Sequence, residues 1–243
     1  MQVEKRDGTK ADFSVEKIHQ VVEWATKGIK DVSFSDIEMN ANLSIYDGIS
    51  TVEIHNILIK SASDLIDLST PNYQYVAANL ANMQLRKDVW GSHDTPPDFV
   101  TFLQNNVDNG IYDEKLNPNH KDGWSESQVK MFGNYINHDR DSLFTFSGLQ
   151  QLIDKYLVKN RNTDKIYETP QQAYMCIAMC LFDTEAEVKA AYDAYSTFKI
   201  NLATPIMCGV RTVKRQFASC VLVDVEDDLD AIFASVHAVG KYT

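Results

Sequence analysis

One short run, 217-FASCVLV-223, constrains the fold more than any other stretch of this chain. It is uncharged and ends in β-branched residues, so it reads as a strand buried on both faces. Such a strand needs neighbours on each side, and an open apolar edge is a hazard. Yet almost everything before it has helical spacing, and few other candidate strands could cover it. The chain reads as one that has just entered an α/β region, and so as the front part of a larger protein.

The upstream elements are marked by their ends. In 2-QVEKRDGTKADFS-14 the Asp7-Gly8 pair predicts a hairpin turn between two short extended arms. Ser14 is placed to cap a helix over 15–28 that Gly28 stops, with Val15, Ile18, Val21, Val22 and Ala25 on one stripe. A second helix is predicted over 35–45. A third, over 51–66 with Thr51 as cap, would bury Ile54, Ile57, Leu58, Ala62 and Leu65. A fourth spans 71–91, with Pro71 at its start and Gly91 at its end. Residues 1–91 thus read as a hairpin plus four-helix unit, closed by the boundary 91-GSHDTPP-97. Residues 98–215 read as a helical domain with a hairpin near 155–168, helices over 170–182 and 184–198, and a Pro/Gly-punctuated loop over 201–212. Residues 216–243 supply the strand and a helix over 228–242. The predicted class is mainly α (α+β).

A formal charge of −11 over 243 residues argues against a general nucleic-acid binder, although a local basic pocket can still hold one nucleotide. The longest apolar run, 173-AYMCIAMCLF-182, is about half of a bilayer crossing, and MQVEKRDGTK lacks the apolar core of a signal peptide. No membrane role is expected. Four cysteines without a CxxC, and six histidines without paired spacing, fit a reducing, cytoplasmic setting and no metal site.

Several residues carry chemistry. Lys5, Arg6, Lys17 and Lys87, with Thr51 and His55, could converge on phosphates, since cations and helix starts both favour anions. Spacing alone equally allows solvated cations scattered over an acidic surface. Cys176 and Cys180 lie four apart on an apolar helix and read as small core residues. Cys208 sits in the Pro/Gly loop with no role to assign. Cys220 opens the strand behind Ser219, with Arg211, Lys214 and Arg215 as cations that would favour a thiolate and draw an anionic substrate. A packed core cysteine stays open as the other reading. The cluster 224-DVEDDLD-230 reads either as a solvated helix start or as contacts to a ligand.

Beyond spacing, 196-STFKINLATPIMCGVRTVKRQFASCVLVDVEDDLD-230 resembles the catalytic subunit of aerobic class Ia ribonucleoside-diphosphate reductase. So do 4-EKRDGTKADFSVEKIH-19, 46-YDGIST-51, 73-YQYVAANLA-81 and 136-INHDRD-141. The likeness runs along the whole chain, in order, and covers the first third of that family. It implies an ATP-cone at 1–91, where ATP activates and dATP inhibits, with Lys5, Arg6, Ser14, Lys17, Thr51, His55 and Lys87 at the nucleotide. Ala11 departs from the glutamate of the relatives, so the resemblance leaves open whether dATP feedback carries over.

The resemblance also implies that Cys220 is one of two redox-active thiols beneath the ribose. A radical cysteine from a later segment removes the 3′ hydrogen, and the 2′ hydroxyl leaves as water with a proton from the Cys220 thiol. That thiol and a downstream partner end as a disulfide. Thr204 would lie near the substrate diphosphate and Ser219 beside the thiol. Asp227, Asp228 and Leu229 would begin the site for dNTP specificity effectors, at a dimer interface. The strand would be the first of a ten-stranded α/β barrel completed by sequence beyond Thr243. Implied partners are the remaining C-terminal part of the catalytic subunit, a diiron-type radical-generating small (beta) subunit, a second copy of the completed subunit, and thioredoxin or glutaredoxin as reductant. A natural split subunit and a truncated product are both compatible with this. The alternative is a stand-alone ATP-cone sensor or a non-catalytic remnant, for which Thr204, Ser219 and Cys220 would be needless.

Overall fold

The computed structural model describes residues 1–42, 44–118 and 120–242. Strands β1 (Gln2–Glu4) and β2 (Lys10–Asp12) pair antiparallel with Val3 opposite Ala11. Gly8 turns the hairpin at φ +79, and the Asp7 carboxylate accepts from the Thr9 amide and hydroxyl at 2.9 and 2.6 Å. Helix α1 (Val15–Thr26) is capped by Ser14, which accepts from the Lys17 amide. Val15, expected on the buried stripe, is 58% exposed; Ile18, Val22 and Ala25 are the buried residues, and the first turn is left uncovered.

Helices α2 (Phe34–Asn42) and α3 (Thr51–Ser63) follow. Thr51 does not cap α3. Ser50 does: its Oγ accepts from the Glu53 amide at 3.1 Å, while the Glu53 carboxylate accepts from the Ser50 amide at 3.1 Å. This reciprocal box leaves Thr51 as the first helical residue, where amides lack an intrahelical acceptor. Helix α4 (Tyr73–Trp90) starts behind Asn72 and ends at Gly91, φ +76.

Two cores result. The first gathers Val22, Ile37, Leu58, Val76 and Leu80. The second gathers Leu103, Phe132, Leu149, Met175 and Tyr192 from α5 (Phe99–Asp108), α6 (Glu126–Tyr135), α7 (Phe146–Gln151), α8 (Pro170–Leu181) and α9 (Glu185–Ser196). Helix α4 serves both, giving Val76 and Leu80 to the first and Ala78 and Ala81 to the second.

Helix α6 crosses α5 so closely that a Cβ on Gly133 would lie 2.5 Å from Phe99 Cβ. Gly133→Ala is therefore expected to destabilise by about 1–3 kcal/mol in a urea melt, the usual cost of overpacking. Gly240→Ala, which meets open space, should show no such loss.

The hairpin expected near 155–168 is narrower than predicted. Residues Leu152–Tyr156 make a π-helical turn instead, and the arms meet at one bridge, Lys159 to Ile166. The segment 201–212 is not all loop: Thr204–Gly209 forms helix α10, with Pro205 in the first turn where a missing N–H is tolerated. The strand predicted over 217–223 does not form. Residues 213–222 are exposed and outside any regular element. The physical reason is a lack of partners, because the one sheet among the described residues is the β1–β2 hairpin. No barrel strand lies among them either. Helix α11 (Leu229–Tyr242) follows with no buried residue. Among the described residues no helix is long and apolar enough to cross a membrane.

Candidate functional site

A cleft of about 550 Å³ opens between the hairpin, α1, α3 and α4. Its floor is apolar, with Val3, Ile18, Ile54, Leu58 and Met83. Above that floor stand Lys5 behind β1, Ser14 and Lys17 at the start of α1, Thr51 and His55 on α3, and Lys87 near the end of α4. Six of the seven residues singled out for a nucleotide thus line one cavity. Arg6 does not; its guanidinium pairs with the Asp88 carboxylate outside the cleft.

The chemistry of the cleft follows from burial. His55 is only 5% exposed, and its Nε2 stands 2.7 Å from the Leu80 carbonyl. A carbonyl accepts only, so Nε2 carries the hydrogen and, in the neutral ring, Nδ1 is left as an acceptor. Burial lowers the His55 pKa to about 4 against the pull of that carbonyl, with the Lys87 and Arg6 charges adding to the fall. Lys87 is also pushed down, first by burial and then by Arg6, with Asp88 opposing. An anion in the cleft would offset the Arg6 repulsion and favour the charged form of Lys87. The N-terminal turn of α3 adds backbone amides and the positive end of the helix dipole.

A pH dependence follows for stability. Between pH 6.5 and about 4 the unfolded chain protonates His55 while the folded chain does not, so stability falls as pH drops through that window. The difference between wild type and His55→Gln should shrink or reverse by about 3 kcal/mol between pH 7 and pH 4. Urea melts across that range measure it.

Among the further lining residues that escaped the sequence reading are Trp24 and His93. Trp24 had a signal, since it lies seven positions after Lys17 and so on the same face of α1. His93 follows the α4 cap in an irregular segment, where no periodicity points to it.

The C-terminal candidates are not gathered in this way. Thr204 begins α10, with the Tyr156 hydroxyl 3.3 Å from its Oγ1. The Ser219 hydroxyl lies 3.8 Å from Cys220 Sγ, and Cys220 is exposed on an irregular segment rather than held at a strand end. Asp227 precedes Asp228, whose carboxylate accepts from the Ala231 amide at 2.9 Å at the start of α11; Leu229 is exposed. None of these residues lines the cleft.

Arg211 is not a cation beside Cys220. It is wholly buried, donating from Nε to both Glu168 carboxylate oxygens at 3.1 and 2.9 Å and from Nη2 to the Tyr156 carbonyl at 2.9 Å. Glu168 is itself fully buried just ahead of α8 and needs a counter-charge there. Arg215 pairs with Asp113. Cys176 lies in α8 as a core residue, Cys180 is partly buried against the same core, and burial raises both thiols, Cys180 to about 12. Neither ionises readily.

A hairpin and three helices around a lysine-lined cleft, set against a helical region through a shared helix, define an anion-binding unit joined to an all-α domain. Two family matches fall on these parts: the ATP cone domain over residues 1–88 and the ribonucleotide reductase all-alpha domain over residues 142–215. The chain is 44% identical over 246 residues to ribonucleoside-diphosphate reductase 1 subunit alpha of Escherichia coli, an alignment covering 99% of this chain and 32% of that protein. The subunit alpha of Haemophilus influenzae is 42% identical over 248 residues, covering 100% and 32%. That of Helicobacter pylori is 32% identical over 239 residues, covering 96% and 29%. Along its whole length this chain matches the N-terminal region of ribonucleotide reductase alpha subunits, with an ATP cone joined to the all-alpha domain. It spans about a third of the length of the curated relatives it matches.

Proposed function

We propose that this chain works as the N-terminal part of a ribonucleotide reductase catalytic subunit, reducing ribonucleoside diphosphates together with the rest of that subunit. In this reading 1–91 is the effector-binding cone, 98–215 the helical domain and 216–243 the entry to the catalytic barrel. The observation that carries it is the convergence of Lys5, Lys17 and Lys87, from three separate elements, on one cleft at the start of α3 in a chain of charge −11.

The cleft suits ATP or dATP. The lysines and the α3 amides would take the phosphates, and the apolar floor would take the base. Neutral His55 offers an acceptor at Nδ1 for an exocyclic amine or a hydroxyl. Ala11 also lines the cleft, beside Asp12, an acidic residue on that wall. The exposed segment 217–223 would become a strand of the ten-stranded barrel when the remaining subunit supplies its neighbours. That docking would bring Cys220 and Ser219 to the ribose and Thr204 to the diphosphate, and Asp227, Asp228 and Leu229 to a dNTP effector site between two completed subunits. A diiron-type small subunit would supply the radical; Cys220 would give a proton to the leaving hydroxyl, form a disulfide with a downstream cysteine as the two thiols give up two electrons, and be returned to the thiol by thioredoxin or glutaredoxin.

Isothermal titration of the chain with ATP tests the effector arm. Lys17→Ala and Lys87→Ala should each weaken binding about 10- to 100-fold, the value of a charge-assisted bond to phosphate. Unchanged affinity in both variants would place the nucleotide elsewhere and overturn the reading of the cleft.

A further inference from the structure

The last turn of α4 is tied to three different bodies by three consecutive residues. Lys87 lines the cleft, Asp88 holds Arg6 of the hairpin, and Arg86 points into the helical region. There the Arg86 guanidinium donates from Nη2 to Asp141 Oδ2 at 2.9 Å and to the His138 carbonyl at 2.6 Å. Asp141 is almost completely buried and also accepts from Asn82 of α4 at 3.3 Å and from Gln171 of α8 at 3.0 Å. The Arg86 guanidinium lies over the Trp90 ring at 5.1 Å, and that ring meets the His138 ring at 4.9 Å. Asn82, Arg86 and Trp90 are spaced by four and form one stripe of α4, while Met83 and Lys87 form the adjacent stripe that faces the cleft.

We propose that α4 is the coupling element of this protein, passing nucleotide occupancy of the cleft into the helical region through the Arg86–Asp141 joint. The proposal rests on the reading of the cleft as an ATP site and adds how that site is heard outside it. Helix α4 runs 18 residues without glycine or proline, so nothing along it absorbs a displacement as a kink. Lys87 is partly buried on the wall of the cleft, so a phosphate there draws its ammonium and with it the last turn. Because Arg86 is the preceding residue, that movement cannot leave the Asp141 contacts unchanged. A buried charge pair resists small distortions, since both charges lack water to fall back on. The segment 136–143, which carries His138 and Asp141, is therefore where the signal should arrive.

Hydrogen–deuterium exchange of the whole chain with and without ATP reads this directly. In the wild type, ATP should change exchange in 136–143 by about fivefold or more, the lower end of ordinary site-to-site coupling, alongside protection of 50–58 in the cleft. In Arg86→Gln the protection of 50–58 should remain and the change in 136–143 should vanish. Asp141→Asn should behave alike, and stands in if Arg86→Gln does not fold. Protection by ATP at 50–58 with no change at 136–143 in the wild type would overturn the proposal while leaving the cleft intact. A response at 136–143 that persists in the folded variants would also overturn it. Absence of any ATP effect would remove the cleft reading, and the coupling with it.

Discussion

Cys220→Ser should reduce the conversion of CDP to dCDP to the assay background when this chain is combined with the remainder of a reductase alpha subunit and a radical-generating partner. The expectation follows from what a thiol can do there and a hydroxyl cannot. A cysteine thiol can give up its proton and then form a sulfur–sulfur bond. A serine hydroxyl is a far weaker acid and cannot supply electrons by forming a disulfide. Cys220 is exposed in the free chain and fills no core position, so the substitution removes no packing there. Assembly and ATP binding should therefore persist in the variant, which separates loss of chemistry from loss of structure. Full turnover by Cys220→Ser in the assembled enzyme would mean that this thiol has no part in the reaction.

The second large effect is on stability. Arg211→Met should destabilise the chain by about 3–5 kcal/mol, because it strips a fully buried carboxylate of its counter-charge. Glu168 would keep only neutral donors, the Tyr112 hydroxyl at 2.5 Å and the Val158 amide at 2.7 Å. Burial opposes the Arg211 charge, but the Glu168 carboxylate outweighs it and raises the guanidinium pKa further. The pair also fixes α10 in place, since Arg211 donates from Nη1 to the Met207 carbonyl at 2.5 Å. Adding Glu168→Gln to Arg211→Met should recover part of the loss: the charge is gone while an acceptor for Val158 remains. A urea midpoint for Arg211→Met within about 0.5 kcal/mol of wild type, the range of neutral surface changes, would show that the buried pair contributes little.

The parts of this structure that were legible in the sequence are those written locally. Asp7-Gly8 specified the hairpin turn, Ser14 the start of α1, and Gly91 the end of α4, each through the conformation of one or two residues. Ser50 and Thr51 are adjacent capping residues, and the choice between them was decided by Glu53, which sits at the spacing that closes a capping box on Ser50. That signal was present and passed over. The Arg211–Glu168 pair was not legible, because its members are 43 residues apart and no periodicity relates them. Arg211 therefore read as a surface cation near Cys220. The run 217–223 spells a strand, but a strand is a relation between segments, and no segment among the described residues pairs with it. The cleft lay between these extremes. Its lysines come from a hairpin and two helices, so spacing could not assemble them; resemblance to a family did, and left out Trp24 and His93.

The central claim is that the cleft of the N-terminal unit holds a nucleoside triphosphate, and a crystal of this chain grown with ATP tests it most directly. The account predicts density for one triphosphate among Lys5, Lys17 and Lys87, against the first turn of α3, with the base over the apolar floor beside His55. A triphosphate bound elsewhere on the chain, or an empty cleft at saturating ATP, would contradict it.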